Sequence, residues 1–168
     1  SEQRMIYVYK TRVSQVDKQW LGEAFAFSVA RNNWDSLQDL QGYEMYIVHK
    51  DNKDIGFFIL HLYPKLSEVG TSYWPHPRHC RMNMLPIIQV AAVAAIDYGK
   101  LHKYEYLMMR TAEGLPCRMI KKMYTGVDSV KLSPGLNLIH GRINSMFPIK
   151  DLVKYINPES IDAYEVDI

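Results

Sequence analysis

The sequence is short of cysteine, of long apolar runs and of net charge. Its two cysteines, Cys80 and Cys117, lack the spacing of a zinc site and favour a reducing compartment over a disulfide scaffold. The net charge of +2 gives no reason to expect a general polyanion binder. No apolar run reaches the roughly twenty residues that span a bilayer, and the first residues lack a signal peptide's apolar core. We therefore expect a cytoplasmic protein with no membrane segment.

Motifs of several enzyme classes are also missing. The chain has no Gly-x-x-x-x-Gly-Lys phosphate loop and no serine nucleophile elbow. His76, His79 and Cys80 lie close together, but no fourth ligand follows at zinc spacing, so we predict no metal site. The basic side chains between Arg118 and Lys122 have helical spacing, which indicates a solvated helix face rather than a nucleic-acid site.

What remains is the composition of an ordinary globular domain. Hydrophobic residues make up 48% of the chain and charged residues 23%. A length of 168 residues corresponds to about one domain, and no repeat, low-complexity stretch or long linker divides it. We therefore expect a single domain over residues 1–168.

Apolar periodicity predicts an alternation of strands and helices. The predicted strands are Met5–Tyr9, Tyr43–His49, Ile55–Tyr63, Ser67–Trp74, Lys103–Arg110 and a final hairpin of Val127–Leu132 and Leu136–Ile143. The predicted helices are one capped by Ser14 and ending at Asn32-Asn33, then Asp35–Leu40, Leu85–Ile96 ending at Gly99, Cys117–Tyr124 and Ile149–Ile156. The last ten residues are expected to be a solvated tail or an addition to a sheet edge.

The stretch from Glu68 to Tyr98 organises the rest of the chain. A strand is followed by a loop of ring and basic side chains at 75–83, and then by a helix that is apolar on nearly every face. Such a helix must be covered by protein on several sides. A strand, a crossover helix and a further strand form a parallel unit, and the loop that enters the helix is a common anion site. We therefore predict an α/β fold with a mixed, mostly antiparallel sheet.

This order of elements resembles the GCN5-related N-acetyltransferase (GNAT) superfamily over about residues 5–132, which leaves about 133–168 as a C-terminal extension. In that family the fourth and fifth strands splay apart, the acetyl-CoA pantetheine lies between them, and the pyrophosphate binds backbone amides at the start of the third helix. The resemblance implies acetyl-CoA or CoA as a partner, with cofactor contacts from Val69, Thr71, Arg78, Arg81, Met82 and Asn83.

The family's phosphate loop has the pattern Gln/Arg-x-x-Gly-x-Gly/Ala, and the matching segment here is residues 78–83. Arg78 agrees with the pattern, whereas Arg81 and Asn83 replace its two small residues. One interpretation is that both arginines bind the pyrophosphate by charge-assisted contacts. The other is that this segment is only a connection with solvated arginines.

The family's second signature is a tyrosine on the last helix that protonates the departing thiolate. Two ways of aligning this helix with the family pattern place Ile120 or Lys122 at the tyrosine position. Tyr124 is the nearest phenol, and it is either the acid or an ordinary core aromatic. For the general base, the family's usual glutamate implies Glu68 at the start of the fourth strand. His61 and His49 are alternatives because histidine titrates near neutral pH. Each of these side chains is also explained as an ordinary strand residue.

Two functions follow from the resemblance. The first is an acetyl-CoA-dependent N-acyltransferase acting on an unknown amine or protein acceptor, since proximity alone supplies much of such a rate. The second is a catalytically inactive GNAT-like binding or structural protein, of a kind found among tailed-bacteriophage proteins. The twelve tyrosines would suit a protein partner or a homo-oligomer.

Overall fold

The computed structural model describes residues 6–27, 37–149 and 164–165. Within these residues the strands are β1 Ile6–Arg12, β2 Glu44–Lys50, β3 Lys53–Tyr63, β4 Glu68–Pro75, β5 Tyr106–Ala112, β6 Asp128–Ser133, β7 Leu136–Arg142 and β8 Tyr164–Glu165. The helices are α1 Lys18–Ala26, α2 Cys80–Leu101 and α3 Leu115–Met123. None of the helices in these ranges is long and apolar enough to cross a bilayer.

The strands form one mixed sheet in the order β1-β2-β3-β4-β5-β7-β6, with β8 paired to β3. Every neighbouring pair along that order is antiparallel except β4 and β5, which are parallel. The predicted mixed, mostly antiparallel sheet is therefore confirmed. β8 also confirms the edge-addition alternative for the tail, since Tyr164 and Glu165 pair with His61 and Leu62.

The β2–β3 hairpin reverses at Asp51 and Asn52, two residues suited to a tight turn. Asp51 and Asn52 have positive φ angles of 52° and 61°. A two-residue reversal with both central residues in the left-handed region matches the right-handed twist of the flanking strands, and Asp and Asn tolerate that region best after glycine. Local chemistry thus sets the turn and the pairing next to it, and a bulge between Val48 and His49 shifts the register beyond.

Helix α2 is the buried helix that the sequence predicted. All its residues from Val90 to Ile96 are buried, packed between the sheet and α3. The predicted end at Gly99 is wrong, because the helix continues to Leu101. Gly99 instead makes room for its neighbours: a Cβ there would overlap Ile143 and lie 3.1 Å from the Cγ1 of Val69. This glycine serves close packing, not helix termination.

Helix α1 begins later than predicted. Ser14 lies in a short 3-10 turn, and Asp17 caps the helix by accepting the backbone N–H of Trp20 at 2.9 Å. Of the predicted second helix, the described part is a 3-10 turn at Leu37–Leu40. The predicted helix end at Asn32-Asn33 lies outside the described residues, as do residues 150–163, which include most of the helix predicted for Ile149–Ile156.

The sheet buries a core on each face. On one face α2 and α3 cover a large cluster that includes residues of β2 to β5 and β7. On the other face α1 covers a smaller aromatic cluster in which Trp74 stacks on Phe57 at 4.7 Å and on Phe25 at 5.9 Å. We call these the α2 face and the α1 face. Because side chains alternate along β4 and β5, each of these strands presents residues to both faces.

Candidate active site

The fourth and fifth strands part soon after they meet. β4 pairs with β5 only through Glu68 with Tyr106 and Val69 with Leu107. From Gly70 onward β4 has no further ladder partner on that side among the described strands, although it remains paired to β3 along its whole length. The predicted divergence is therefore confirmed. We call the opening between residues 70–75 of β4 and 108–112 of β5 the β4–β5 gap.

The closed end of the gap is covered on the α1 face by the imidazole of His61. Gly70 permits this, because a Cβ there would lie 2.5 Å from the His61 Cε1 and 2.7 Å from the Met108 carbonyl oxygen. His61 is 8% exposed, its Nε2 lies 3.4 Å from the Ser72 Oγ, and its Nδ1 has no hydrogen-bond partner among the described residues. Burial, and then the charge of Arg110, lower the pKa of His61 to about 4. The ring is therefore neutral at pH 7 and is a weak base there.

On the α2 face, a buried pair of hydroxyl groups joins the two strands across the gap. Tyr73 of β4 and Thr111 of β5 are hydrogen-bonded at 2.6 Å between their side-chain oxygens, and both residues are buried. Burial raises the pKa of Tyr73 to about 12, against a smaller lowering by the Thr111 hydrogen bond. The gap therefore contains a phenol that holds its proton at any physiological pH.

The open end of the gap faces the start of α2. His79 is the N-cap residue, its side chain makes no capping hydrogen bond, and the first turn contains no acidic residue. The backbone N–H groups of Cys80, Arg81 and Met82 lie in that first turn, where no intrahelical acceptor is available to them. Together with the helix dipole, such N–H groups favour an anion. The side-chain contacts predicted for Arg81, Met82 and Asn83 lie outside the described residues.

Arg78, just before α2, is held by α1. Its Nη2 donates to the Glu23 Oε1 at 3.0 Å, and the Glu23 Oε2 lies 3.1 Å from the His76 Nε2 without the alignment of a hydrogen bond. The Arg78 N–H donates to the His76 Nδ1 at 3.2 Å, which leaves the proton of a neutral imidazole on Nε2. Burial lowers the pKa of His76 despite the nearby carboxylate. The loop before α2 is thus fixed to α1, with other Arg78 donors still available.

The stretch that enters α2 also packs its rings against α1. The buried His76 ring stacks on Trp20 at 5.1 Å between centroids. The pKa of Glu23 is lowered, because hydrogen bonds from Gln19 and Arg78 outweigh the opposing effect of burial. Glu23 therefore stays ionised and holds a negative charge next to the start of α2.

The other predicted cofactor residues lie on β4 at the start of the gap. Val69 is the last residue paired with β5, and its side chain packs toward Gly99 of α2. Thr71 lies within the gap, and its hydroxyl donates to the Ile59 carbonyl oxygen at 2.9 Å. A ligand in the gap could therefore contact the backbone and the apolar surface of these two residues, because the Thr71 hydroxyl is already hydrogen-bonded.

The predicted catalytic residues lie in different places. Glu68 is at the paired end of β4, on the same face as His61, and burial raises its pKa. Tyr124 follows α3, is 2% exposed and forms an isolated bridge with Pro148, and burial and the charge of Asp97 raise its pKa. Asp97 is two residues before Gly99, which packs at the paired end of β4. The structure thus places Glu68 and His61 on the same face of adjacent strands, two positions apart in register, and leaves Tyr124 at the paired end, on the α2 face.

His49 is engaged away from the gap, where its Nδ1 lies 2.9 Å from the Asp54 Oδ1 in the β2–β3 hairpin. Tyr73 was not among the residues predicted from the sequence, because the family's tyrosine lies on the last helix. The signal was present: Tyr73 is two and four positions from Thr71 and Val69, so strand alternation puts all three on one face. No group of three or more potential metal ligands occurs within the ranges that the structure describes.

No family model matches this sequence, and no curated protein does either. Solved structures do match the fold. A spermidine N-acetyltransferase variant from Vibrio cholerae matches with a TM-score of 0.54 and 11% identity, over 93% of this chain and 99% of that one. A GNAT family acetyltransferase from Elizabethkingia anophelis with acetyl-CoA bound matches with a TM-score of 0.52 and 12% identity, over 82% and 97%.

A third match is an acetyltransferase from Bacillus subtilis in complex with CoA, with a TM-score of 0.53 and 9% identity, over 82% of this chain and 98% of that one. At such low identity the likeness concerns the backbone and carries no residue roles. It nevertheless covers nearly the whole length of each neighbour, and the diverging β4–β5 pair is the arrangement that the resemblance to the family implies. The chain has the fold of the GCN5-related N-acetyltransferase superfamily.

Proposed function

We propose that this protein is an N-acyltransferase that takes an acetyl group from acetyl-CoA. The observation that carries the proposal is the β4–β5 gap, because β4 and β5 pair at only two positions before they part. The unpaired edge of β4 can hydrogen-bond an extended chain as a further strand would. The pantetheine arm, which carries two amide groups, is such a chain.

The rest of the cofactor would lie along the open end of the gap. Its pyrophosphate would bind the free N–H groups of Cys80, Arg81 and Met82 at the start of α2, with Arg78 beside them. Val69 and Thr71 would line the arm through their backbone. Two of the structural neighbours hold acetyl-CoA or CoA, which supports this choice of donor.

The chemistry would be direct attack of an amine on the thioester within the gap, beside the Tyr73–Thr111 pair. The amine nitrogen bonds to the acetyl carbon, the carbon–sulfur bond breaks, and CoA leaves as a thiolate. Tyr73 is the donor we assign to that thiolate, because its hydroxyl lies within the gap and holds its proton. Glu68 and His61, on the opposite face, are the candidate acceptors for the amine proton. Tyr124, at the paired end, would serve as packing.

A charge placed at the start of α2 tests this arrangement. His79→Asp puts a carboxylate beside the amides that would bind the pyrophosphate, while His79→Asn puts a side chain of the same shape there without the charge. We expect the Asp variant to weaken CoA and acetyl-CoA binding by about tenfold or more, and the Asn variant to change it little. Equal affinities in the two variants would place the pyrophosphate elsewhere.

The affinities can be measured by thermal shift with the intact chain. Saturation at about one hundred times the dissociation constant should stabilise the wild type by about 2.7 kcal/mol. That corresponds to a rise of roughly 5–11 °C for a domain of this size. Release of free CoA thiol in the presence of amines then reports turnover. Binding without turnover would favour the inactive binding protein, and no shift with either ligand would refute the proposal.

A further inference from the structure

A second opening lies beside the gap, on the α1 face of the sheet's other half. It is a cleft of about 430 Å³. The side chains that line it come from three neighbouring strands and the segment after them: Tyr106, Met108, Asp128, His140, Arg142 and Ser145. We call it the β5–β7 cleft. Met108 connects it to the gap, because Met108 follows the last β5 residue that pairs with β4, and its carbonyl oxygen lies next to Gly70.

The strand register sets these side chains in an ordered array. Met108 of β5, His140 of β7 and Asp128 of β6 lie directly opposite one another across the three strands. Such neighbours have Cβ atoms about 4.5–5.5 Å apart. Two residues further along β7, and on the same face, Arg142 lies opposite Tyr106 of β5, with its guanidinium carbon 5.8 Å from the ring centroid. The cleft thus has a row with a carboxylate and an imidazole and a parallel row with a guanidinium over an aromatic ring.

The charged groups of this array have no ion-pair partner among the described residues. Across the residues that the structure describes, neither Asp128 nor Arg142 forms an ion pair, and His140 makes no hydrogen bond through its ring. A carboxylate and a guanidinium on adjacent rows of one concave site are complementary to a molecule that carries both charges. Tyr106 and Met108 add an apolar wall, and binding sites commonly combine such a wall with a few convergent polar groups.

We propose that the β5–β7 cleft binds a small zwitterion of the amino-acid type and presents its amine to the acyl group in the gap. The ammonium binds Asp128 and His140, the carboxylate binds Arg142, and an apolar side chain lies against Tyr106 and Met108. The assignment of this molecule as acceptor rests on the proposed acyltransferase function.

The transfer then balances in protons and bonds. The bound ammonium gives one proton to His140, which later returns it to solvent, and becomes a nucleophilic amine. Its nitrogen bonds to the acetyl carbon while the carbon–sulfur bond breaks, and as the amide forms the second proton passes to Glu68 or His61 and from there to solvent. The CoA thiolate takes a proton from Tyr73, which regains one from solvent after CoA departs. No oxidant, reductant or metal is required.

Binding is tested first without any acyl donor. The probes are L-phenylalanine and L-methionine, compared with phenethylamine, which lacks the carboxylate, and 3-phenylpropanoate, which lacks the amine. We expect calorimetric titration of the intact chain to show at least about tenfold tighter binding of L-phenylalanine or L-methionine than of either half molecule. Equal affinity for phenethylamine and L-phenylalanine, or no binding of either amino acid, would overturn the assignment.

Variants with matched controls locate the site. Asp128→Asn and Arg142→Gln should each weaken zwitterion binding at least about tenfold. Asp51→Asn in the β2–β3 turn makes the same chemical change away from the cleft and should leave binding unchanged. With acetyl-CoA present, the two cleft variants should raise KM for the acceptor, whereas His140→Gln should lower kcat. Equal effects of the cleft variants and the control would contradict the proposal.

The two proposals fail in different ways. Binding of acetyl-CoA by a protein that binds neither amino acid would refute the cleft alone. Binding of the zwitterion, lost in the cleft variants, by a protein that binds no acetyl-CoA would support the cleft as a binding site and refute acyl transfer, and with it the acceptor role.

Discussion

The hydroxyl pair in the gap can be tested by removing each hydroxyl separately. Tyr73→Phe deletes the phenol and keeps the ring, and Thr111→Val deletes the partner hydroxyl and keeps the branched shape. Both residues are buried and their oxygens are 2.6 Å apart. Each single change therefore leaves one buried hydroxyl without its partner, so the two variants inflict similar structural damage.

The expected loss of stability follows from that unpaired hydroxyl. An orphaned buried polar group costs about 1–3 kcal/mol. For a domain of this size that lowers Tm by roughly 2–12 °C. The double variant Tyr73→Phe/Thr111→Val removes both partners and should lose less than the sum of the single variants. Thermal unfolding of the four proteins measures this coupling.

The two single variants should lose similar amounts of stability, but their kcat values should differ. If Tyr73 protonates the departing thiolate, Tyr73→Phe should lower kcat by about a hundredfold to ten-thousandfold, the usual range for general acid catalysis. Thr111→Val keeps the phenol and should lower kcat less than about tenfold. The assay is the initial rate of CoA thiol release at saturating acetyl-CoA. Equal losses in the two variants would show that the pair is structural and that the acid lies elsewhere.

Two further predictions concern charge. Because the folded pKa of His61 is about 4 against an ordinary 6.5, the unfolded chain alone binds a proton there between those pH values. The contribution of the neutral His61 ring to the free energy of unfolding is therefore fully present above pH 6.5, and about 3 kcal/mol of it is lost as the pH drops to 4. Denaturant unfolding of His61→Gln should therefore show a free energy of unfolding that depends less on pH. Glu23→Gln removes a negative charge near the start of α2 and frees Arg78, so CoA should bind about two- to fivefold more tightly in a calorimetric titration. A steep profile in the first variant, or weaker binding in the second, would contradict these assignments.

Much of the fold could be predicted because its decisive signals are local. The Asp51-Asn52 turn places the reversal between β2 and β3, and the apolar sequence of α2 requires burial wherever the helix lies. A buried helix between two strands then implies a parallel crossover, which gave the β4–β5 pair. The predictions failed where a residue that suggests one local structure is used instead for a contact between distant parts of the chain. Gly99 suggests a helix end, but its lack of a side chain is used for packing against Val69 and Ile143.

The site was less predictable because its contacts join distant parts of the chain. Tyr73 and Thr111 are 38 residues apart, and Arg78 and Glu23 are 55 apart. No periodicity links such residues. The pairing of Asp128 with His140 depends on a hairpin register that turn residues alone did not fix, because β6 and β7 contain an irregularity. The sequence thus indicated where the loop before α2 lies, but not which side chains would meet at the gap.

The central claim is that acetyl-CoA lies in the β4–β5 gap, and hydrogen exchange measured with and without saturating acetyl-CoA tests it most directly. The amides of residues 70–74 of β4 that face the gap and not β3, and those at the start of α2, should exchange readily in the free protein and become protected in the complex. Amides of β1, on the far edge of the sheet, serve as the internal control and should not change. Protection at both places with β1 unchanged is the predicted result. Unchanged exchange at residues 70–74, or protection confined to another part of the chain, would contradict the account.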